Sequence, residues 1–286
     1  MADVKRNLGL YISDQSLYYG ISEPGETRSL LKIGSYDFSY NLDSLIEEGS
    51  QKQRDGLHEV IVNLKETFDV GQAHMAIHPK YECWVSLPKL VKDTSDERNA
   101  HLHMLTGAGD RSKTQLYWFD LSKQNYKFLV IRKSDIMKAY QYLTKSIPEV
   151  DFVSDFEIGR RWISHSDNRG SFLTICCKGS VLSVASYMLG KLRAATYIHF
   201  EHINDLPYLW SLNAEHLPWM QGFHEQIYLY GMQTQKIIKM LMPYLDSGAE
   251  IISMNSLRKI EVEADEETYG FALELAFPAI LLSLQT

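Results

Sequence analysis

Two stretches of the chain carry the same pattern of short apolar runs separated by polar turns. The first stretch has such runs at 8–12, 17–21 and 29–33, and the second has them at 172–176, 182–187 and 194–198. The turns between them contain Ser13-Asp14-Gln15, Glu23-Pro24-Gly25, Lys178-Gly179-Ser180 and Gly190-Lys191. Runs of this length between turn residues are typical of antiparallel strands. The pattern predicts two three-stranded meanders, each opening one half of a duplicated α/β architecture.

The rest of the chain alternates between helical and strand periods. Apolar residues at three- and four-residue steps predict helices at about 55–68, 94–105, 136–147, 155–163 and 223–245, and a last helix beginning near Glu267. Alternating or short apolar runs predict strands at 73–77, 83–87, 116–121, 126–131, 150–153 and 250–254. Residues 41–54 and 199–217 show no clear period. We expect a loop in the first and irregular structure or short helical turns in the second.

The order strand, helix, strand, strand, helix across about 83–147 predicts a small α+β insertion that does not continue the opening sheet. We therefore divide the chain into three parts. These are the N-terminal part of a first lobe at 1–72, an inserted α+β subdomain at 73–150, and a second lobe at 151–286, whose C-terminal helix is a candidate to return to the first lobe.

Composition excludes some classes of protein. The 286 residues are 45% hydrophobic and 23% charged, which is ordinary for a globular protein. The formal net charge of −7 and the scattered Lys and Arg residues oppose nucleic-acid binding. The apolar run 271–284 is too short to span a bilayer and contains Glu274 and Pro278, so we expect a packed helix and no transmembrane segment. With no signal peptide and three cysteines, the expected location is the cytoplasm.

Several polar groups have alternative interpretations. Along one strand His74 and His78 would lie too far apart for one metal ion, so we expect surface or turn histidines. Cys176 and Cys177 are core thiols, or a redox pair if Lys178 lowers a thiol pKa. The carboxylates Asp151, Asp155 and Glu157 are helix-capping residues or a paired-acid site. The remaining candidates are a metal pair of His199 and His202 beside Glu201, and aromatic clusters at 11–40 and 208–219 that belong to the core or to a protein-binding surface.

Two segments resemble a known family. After the strand ending Val85-Ser86-Leu87-Pro88 come an acidic helix start, a hairpin, a helix and then Val150-Asp151-Phe152 before Phe156-Glu157. The chain ends with Tyr269-Gly270-Phe271-Ala272-Leu273-Glu274-Leu275-Ala276-Phe277-Pro278. These segments resemble the inserted subdomain and the last helix of the actin-like ATPase superfamily, in the branch that contains the pilus-assembly protein PilM and the cell-division protein FtsA. The resemblance implies two actin-like (ribonuclease H-like) lobes around a cleft.

The loops that hold phosphate in that superfamily differ here. The first, which carries an Asp and a Gly in the family, reads Ile12-Ser13-Asp14-Gln15-Ser16, without the Gly that lets backbone amides approach a phosphate. The second lacks the family's Asp and reads Thr174-Ile175-Cys176-Cys177-Lys178-Gly179-Ser180. Ser253-Met254-Asn255-Ser256 replaces the paired glycines under the adenine. If a nucleotide is bound, the resemblance places it against Asp14, Ser16, Lys178, Gly179 and Ser180.

These departures lead to two main hypotheses. The first is a catalytically degenerate actin-like protein, not an enzyme and without a cofactor. It would act as a scaffold that binds a protein partner or itself, and by resemblance the partners are short tails of membrane proteins in a pilus- or division-like assembly. The second is a nucleotide-binding protein or weak ATPase that uses ATP and Mg²⁺. In a third, the two meanders are unrelated.

Overall fold

The structure is a computed structural model that describes residues 5–24, 29–105, 113–120, 126–166, 170–255, 263–264 and 271–284. Its strands are β1 Arg6–Ser13, β2 Ser16–Glu23, β3 Ser29–Asp37, β4 Val70–Ile77, β5 Glu82–Pro88, β6 Thr114–Asp120, β7 Tyr126–Lys133, β8 Glu149–Ser154, β9 Ser171–Lys178, β10 Val181–Met188, β11 Lys191–His199, β12 Gln226–Gly231, β13 Glu250–Ser253 and β14 Glu263–Ala264. Its helices are α1 Leu42–Glu48, α2 Gln51–Phe68, α3 Lys89–Asp93, α4 Ser95–Leu105, α5 Ser134–Leu143, α6 Ile158–Ser166, α7 Leu206–His216, α8 Thr234–Leu241 and α9 Leu273–Ser283.

Both predicted meanders are confirmed, and each begins a sheet of the same plan. In the first sheet the order is β14-β3-β2-β1-β4-β8, and in the second it is β11-β10-β9-β12-β13. Each meander is antiparallel, and each is extended by two parallel strands on the side of its first strand. The shared topology contradicts the hypothesis of unrelated meanders and confirms a two-lobed α/β fold.

The two sheets are layered with helices. On one face of β1, Leu8, Leu10 and Ile12 pack with the apolar sides of α1, α2 and α5. On the other face, Tyr11 belongs to a core that includes α6, α9 and the inner side of the second sheet. Strands buried on both faces read as nearly continuous apolar runs, which explains the sequence pattern of β1 and β9.

Helix α9 lies between the two sheets. It contacts β1, β2 and β4 of the first sheet, β12 of the second sheet and helix α6. Its approach to β1 depends on Gly9, where a Cβ atom would lie 1.9 Å from the carbonyl oxygen of Ala279. The Ser22 hydroxyl on β2 donates to the carbonyl of Ser283, at 2.6 Å. The C-terminal helix therefore packs against the first sheet. Among the described residues no helix is both long and apolar enough to cross a bilayer.

A third sheet, in the order β5-β7-β6, forms the core of the insert together with α3 and α4. Its strands and helices span 82–133. The predicted domain boundaries at 72/73 and 150/151 remain a prediction, but sheet membership divides the chain differently. Strand β4 pairs with β1 and β8, and α5 packs against α1 and α2, so both elements belong with the first sheet.

The predicted helix over 223–245 is wrong. Residues 226–231 form strand β12, and only 234–241 form a helix. Ile227 and Leu229 face the cluster around α7 and α8, whereas Tyr228 and Tyr230 face α9. A short run of β-branched and aromatic residues buried on both faces mimics a helical stripe, and burial between β9 and β13 decides the outcome.

Helices occupy parts of two segments without a clear sequence period: 41–54, where we expected a loop, and 199–217, where we expected irregular structure or short helical turns. Helix α1 begins after Asn41, whose side chain accepts a hydrogen bond from the Ser44 amide. Helix α2 begins after Ser50, which forms a capping box with Gln53. Helix α7 occupies 206–216, with Pro207 in its first turn, where proline is tolerated. The sequence also predicts turns at 106–109 and 122–125. These turns and the predicted start of the last helix near Glu267 lie outside the described residues.

The packing of α9 against β1 can be tested by substituting two glycines with alanine. Gly9→Ala should lower the free energy of unfolding by about 3 kcal/mol or more, because the new methyl group meets backbone atoms of α9 that cannot rotate away. Gly56→Ala is the matched control. Gly56 lies inside helix α2, and a Cβ atom there would be 3.7 Å from the Tyr40 hydroxyl, which is ordinary contact. This substitution should therefore raise the free energy of unfolding by about 0.5–1 kcal/mol. Urea titrations give both values. An equal change in the free energy of unfolding for both variants would contradict the close packing of α9 against Gly9.

Candidate functional site

The two hairpin turns that the sequence singled out lie against each other between the lobes. We call them the turn pair: Asp14-Gln15 between β1 and β2, and Gly179-Ser180 between β9 and β10. Asp14 and Gly179 both have left-handed backbones, with φ of 54° and 56°. A Cβ atom at Gly179 would lie 3.8 Å from the Cβ of Asp14, which is van der Waals contact. The duplicated meanders thus bring together two of the predicted site residues, Asp14 and Gly179.

On the first-lobe side of the turn pair, the polar side chains are already engaged. The Asp14 carboxylate accepts a hydrogen bond of 2.6 Å from the Asn41 amide, and its carbonyl accepts one of 2.7 Å from Leu42 at the start of α1. The Ser16 hydroxyl donates to Asp37 at 2.6 Å. Asp14 and Ser16 therefore position helix α1 and strand β3.

On the second-lobe side, Lys178 and Ser180 point to different places. Ser180 is exposed, and its hydroxyl lies 3.5 Å from a ring nitrogen of His199. Lys178 is only 1% exposed, and its ammonium lies 4.6 Å from the centre of the Tyr11 ring on β1. Among the described residues, its Nζ has no hydrogen-bond partner. The lysine side chain extends into the protein interior beneath the turn pair.

Lys178 belongs to a group of polar side chains that we call the buried charge cluster: Lys178, Tyr11, Asp43, His78 and Asp155. Burial raises the pKa of Asp155, against the opposing effects of Lys178 and of hydrogen bonds from Ser183 and Tyr11. Burial likewise raises the pKa of Asp43, and Lys178 again opposes it. Burial lowers the pKa of His78 well below its ordinary value, and nearby Lys178 adds to that effect.

The contacts within this cluster fix its geometry. Asp155 accepts a 2.6 Å hydrogen bond from Ser183 on β10. The Nδ1 atom of His78 accepts from the Lys80 amide, and its Nε2 lies 3.8 Å from Asp43. His78 is thus a turn residue, as expected, but a buried one. His74 is also buried, which contradicts a surface position. In the described part of the chain no group of three or more metal-ligating side chains is present, and His199 and His202 find no third ligand.

The cysteine pair does not have the properties of a redox pair. Cys176 is fully buried and shares a 3.2 Å hydrogen bond with the Tyr11 hydroxyl. Burial raises the pKa of Cys176 well above its ordinary value and that of Cys177 to about 12. The expectation that Lys178 could lower a thiol pKa is therefore wrong in its net effect, because desolvation outweighs the nearby ammonium. These are core thiols.

A magnesium nucleotide needs an open space between the turns, free backbone amides and an available carboxylate. Here the turns are so close that a Cβ atom at Gly179 would contact Asp14, Asp14 is hydrogen-bonded to Asn41, and Lys178 is buried. Where the superfamily has paired glycines, Met254 is fully buried and packs in the core with α9. Ser256 lies outside the described residues. In this arrangement of the lobes, the residues between the two turns do not fit a magnesium nucleotide.

A cavity of about 610 Å³ lies between the insert and the main body. We call it the insert cavity. It is lined by Tyr117, Trp118, Val130, Arg132, Asp151, Phe152, Val153, Glu157, Arg160 and Arg161. These side chains come from β6, β7, β8, the turn before α6 and α6 itself, so that strands of two different sheets face each other across the space. Sequence analysis missed this site, since its residues are spread over 45 positions and no local motif joins them.

A buried ion pair forms the base of the insert cavity. Arg132 Nε donates to Glu82 at 2.7 Å, and both side chains are at most 4% exposed. Glu82 also accepts hydrogen bonds from Trp84, at 3.0 Å, and from Ser154. The guanidinium of Arg132 lies 4.3 Å from the centre of the Tyr117 ring and donates to the carbonyl of Phe152 on β8. This network attaches the insert to the end of β8.

The three carboxylates at 151–157 have separate roles. Asp151 lies 3.9 Å from the guanidinium of Arg161, and Glu157 accepts a hydrogen bond from the Ser154 amide in a capping box. Asp155 belongs to the buried charge cluster. Capping is thus the role of Glu157, as predicted, whereas Asp155 has a different one. Of the aromatic clusters, Tyr11, Tyr18, Tyr19 and Trp210 are buried in the core, and Tyr208 is exposed.

Comparison with solved structures identifies the fold. The chain is similar to a structure titled "PilM-PilN type IV pilus biogenesis complex", with a TM-score of 0.70 at 13% identity over 98% of this chain and 99% of that one. A Bacteroides thetaiotaomicron protein "with actin-like ATPase fold and unknown function" matches with a TM-score of 0.53 at 16% identity, over 91% and 98% of the two chains.

A third similar structure is the cytoplasmic domain of EpsL, "an inner membrane component of the type II secretion system of Vibrio cholerae". Its TM-score is 0.55 at 9% identity, over 90% of this chain and 93% of that one. No protein-family model and no curated protein sequence matches this chain. The fold is therefore the actin-like ATPase fold, as the resemblance predicted, with PilM among the similar structures.

The half-buried carboxyl of Glu157 allows a test of the electrostatics at the insert cavity. Burial and nearby Glu82 raise its pKa from 4.5 to about 7. The folded protein then binds its proton more tightly than the unfolded chain, so the wild type loses stability as the pH rises from about 4.5 to 7. Glu157→Gln removes that loss while keeping the cap. At about 1.4 kcal/mol per pKa unit, the variant should be more stable than the wild type by up to about 3 kcal/mol at pH 8 and equal to it at pH 4.

Chemical denaturation at the two pH values measures the difference. Glu149→Gln, which removes an exposed carboxylate from neighbouring β8, is the control for the loss of one charge. A difference between Glu157→Gln and the wild type that is the same at both pH values would mean that Glu157 does not titrate in this range.

Proposed function

We propose that this protein is a catalytically degenerate actin-like scaffold that binds a segment of a protein partner in the insert cavity. The observation that carries the proposal is the lining of that cavity by Tyr117, Trp118 and Arg132, together with Arg160 and Arg161. Tyr, Trp and Arg contribute most of the binding energy at protein interfaces. A cavity of about 610 Å³ accommodates a few side chains of such a segment.

The backbone around the insert cavity favours an extended segment. In the described part of the chain, β8 is the last strand of its sheet and β6 is the last strand of the insert sheet. The carbonyl of Phe152 on β8 is directed to Arg132 at 3.2 Å, so this edge of β8 offers hydrogen-bonding groups toward the cavity. An extended peptide can pair with a free strand edge and place alternate side chains in pockets.

Two of the similar structures give this proposal its setting. One title names a complex of PilM with PilN, and the other names an inner membrane component of a secretion system. We infer that the partner is a short tail of a membrane protein and that the scaffold acts on the cytoplasmic side of a pilus- or secretion-like assembly. A closer relation to FtsA, and self-association of the chain, remain predictions.

The alternative is a nucleotide-binding protein or weak ATPase that uses Asp14, Ser16, Lys178, Gly179 and Ser180 with Mg²⁺. This alternative is not favoured, because Asp14 and Ser16 are already hydrogen-bonded to other side chains, Lys178 is buried, and the two turns lie close together. The two functions differ in what they require of the lobes, because a nucleotide must separate the turns, whereas a peptide in the insert cavity leaves them in contact.

A thermal shift experiment distinguishes these functions. A ligand at a hundred times its dissociation constant stabilises a protein by about 2.7 kcal/mol, which for a chain of this size is roughly 5–10 °C. With millimolar ATP and Mg²⁺ we expect a change in the unfolding midpoint of less than about 1 °C, in the wild type and in Asp14→Ala alike. A saturable shift in the wild type that Asp14→Ala abolishes would support the nucleotide alternative and contradict a degenerate site.

Peptide binding is tested with a phage-displayed library of random peptides panned against the full chain. We expect enriched peptides whose affinity falls at least about tenfold in Tyr117→Ala, because that ring is 40% exposed at the cavity and stacks on Arg132. Tyr126→Ala is the matched control, since this exposed tyrosine of β7 does not line the cavity. Equal losses in both variants, or none in Tyr117→Ala, would exclude the insert cavity as the binding site.

A further inference from the structure

Lys178 is a charged side chain of one lobe that is buried against the other. It ends β9 in the second sheet, and the ring 4.6 Å from its ammonium belongs to Tyr11, on β1 in the first sheet. The lysine is 1% exposed, and none of the described residues accepts a hydrogen bond from its Nζ. A buried ammonium costs several kcal/mol unless other groups compensate for its lost hydration. The groups that replace the lost hydration of the Lys178 ammonium therefore indicate the role of this side chain.

The compensation comes from both lobes. The face of the Tyr11 ring attracts a cation, most strongly where water is excluded. Asp43 lies on α1 of the first lobe, and Asp155 lies in the turn between β8 and α6 that joins the lobes. Asp155 is in turn hydrogen-bonded to Ser183 on β10. The Oδ1 atom of Asp43 and that of Asp155 are both buried, and neither has a hydrogen-bond partner among the described residues. Burial raises the pKa of both carboxyl groups, and the ammonium of Lys178 opposes that rise in both, together with Lys80 in the case of Asp43.

Two further contacts make the same connection between the lobes. Tyr11 and Cys176 share their 3.2 Å hydrogen bond across the sheets, two residues before Lys178. The turn pair closes over the lysine, with Gly179 against Asp14. A lobe movement that opened the turn pair would separate the ammonium from Tyr11 and Asp43 and leave these groups to be solvated or neutralised.

We propose that the side chain of Lys178 is a built-in cation that holds the two lobes closed, so that no bound ligand is needed to keep them together. The ammonium on β9 joins the second lobe to the ring of Tyr11 on β1 of the first lobe, 4.6 Å away. The inference does not rest on peptide binding in the insert cavity, which involves other residues. A failure of either one leaves the other standing.

Hydrogen exchange of the full chain tests this inference. Lys178→Met keeps the length of the side chain and removes its charge. We expect amide exchange in segments 8–18 and 174–184 to become at least about tenfold faster, while exchange in helix α2 stays within about twofold of the wild type. Lys145→Met is the matched control, because Lys145 lies 3.8 Å from the ring of Tyr142 within the first lobe and does not bridge the lobes.

Unchanged exchange in Lys178→Met, or equal acceleration throughout the chain, would overturn the proposal. A second variant tests the charge itself. Lys178→Ala leaves space beneath the turn pair, and added ethylammonium should restore the protection of 8–18 and 174–184 to within about threefold of the wild type. Ethanol, of similar size but neutral, should not. Rescue by both compounds, or by neither, would show that the ammonium does not hold the lobes. If Lys178→Met does not fold, Lys178→Ala refolded with ethylammonium or with ethanol decides in the same way.

Discussion

The whole architecture depends on burying helix α9 between two sheets. Residues Ala276 to Leu282 are all buried, so this part of the helix is apolar on every side. A helix of that kind is stable in water only when other elements surround it. The first sheet meets it through Gly9 and Gly20, where Cβ atoms would lie 1.9 and 3.0 Å from the carbonyl oxygen of Ala279, and the second sheet meets it through β12. Because one helix is shared by both sheets, the lobes cannot separate far without exposing it.

Close approach of the lobes has an electrostatic consequence at their other contact. The turn pair and the ends of β1 and β9 are brought so near that Lys178, Asp43 and Asp155 lie out of water. Opposite charges that are buried together must compensate each other, because each one alone would be too costly. Here the ionisable groups of both signs are side chains of the protein itself. We infer that these side chains hold the two lobes together.

Much of the fold could be predicted from the sequence, because its strands are buried on both faces and its turns have distinctive residues. The two meanders and most helices follow from that pattern. The error at 226–231 arose because Ile227, Tyr228, Leu229 and Tyr230 are all apolar, and such a run fits either period until its neighbours are known. The full length of the helix at 206–216 was not predicted, because this segment has no clear apolar period and contains Pro207, which stands in the first turn. At the site, the proximity of Asp14 and Gly179 could be expected from the duplicated meanders. The cluster around Lys178 and the insert cavity could not be predicted, because tertiary contacts bring their residues together from distant parts of the sequence.

The insert cavity and the buried charge cluster lie on opposite ends of one short segment. Strand β8 lines the cavity with Asp151, Phe152 and Val153, and the turn that follows it carries Asp155 into the cluster beneath Lys178. Between them, Ser154 donates to Glu82 of the insert while its amide is capped by Glu157. Any movement of the insert relative to the lobes must pass through these residues, because Glu82 and Arg132 form an ion pair that is too well buried to break readily. These contacts connect the two sides of the cavity through one buried network. A scaffold that binds an extended segment gains affinity from such preorganisation, since little of the binding energy is then used to order the protein.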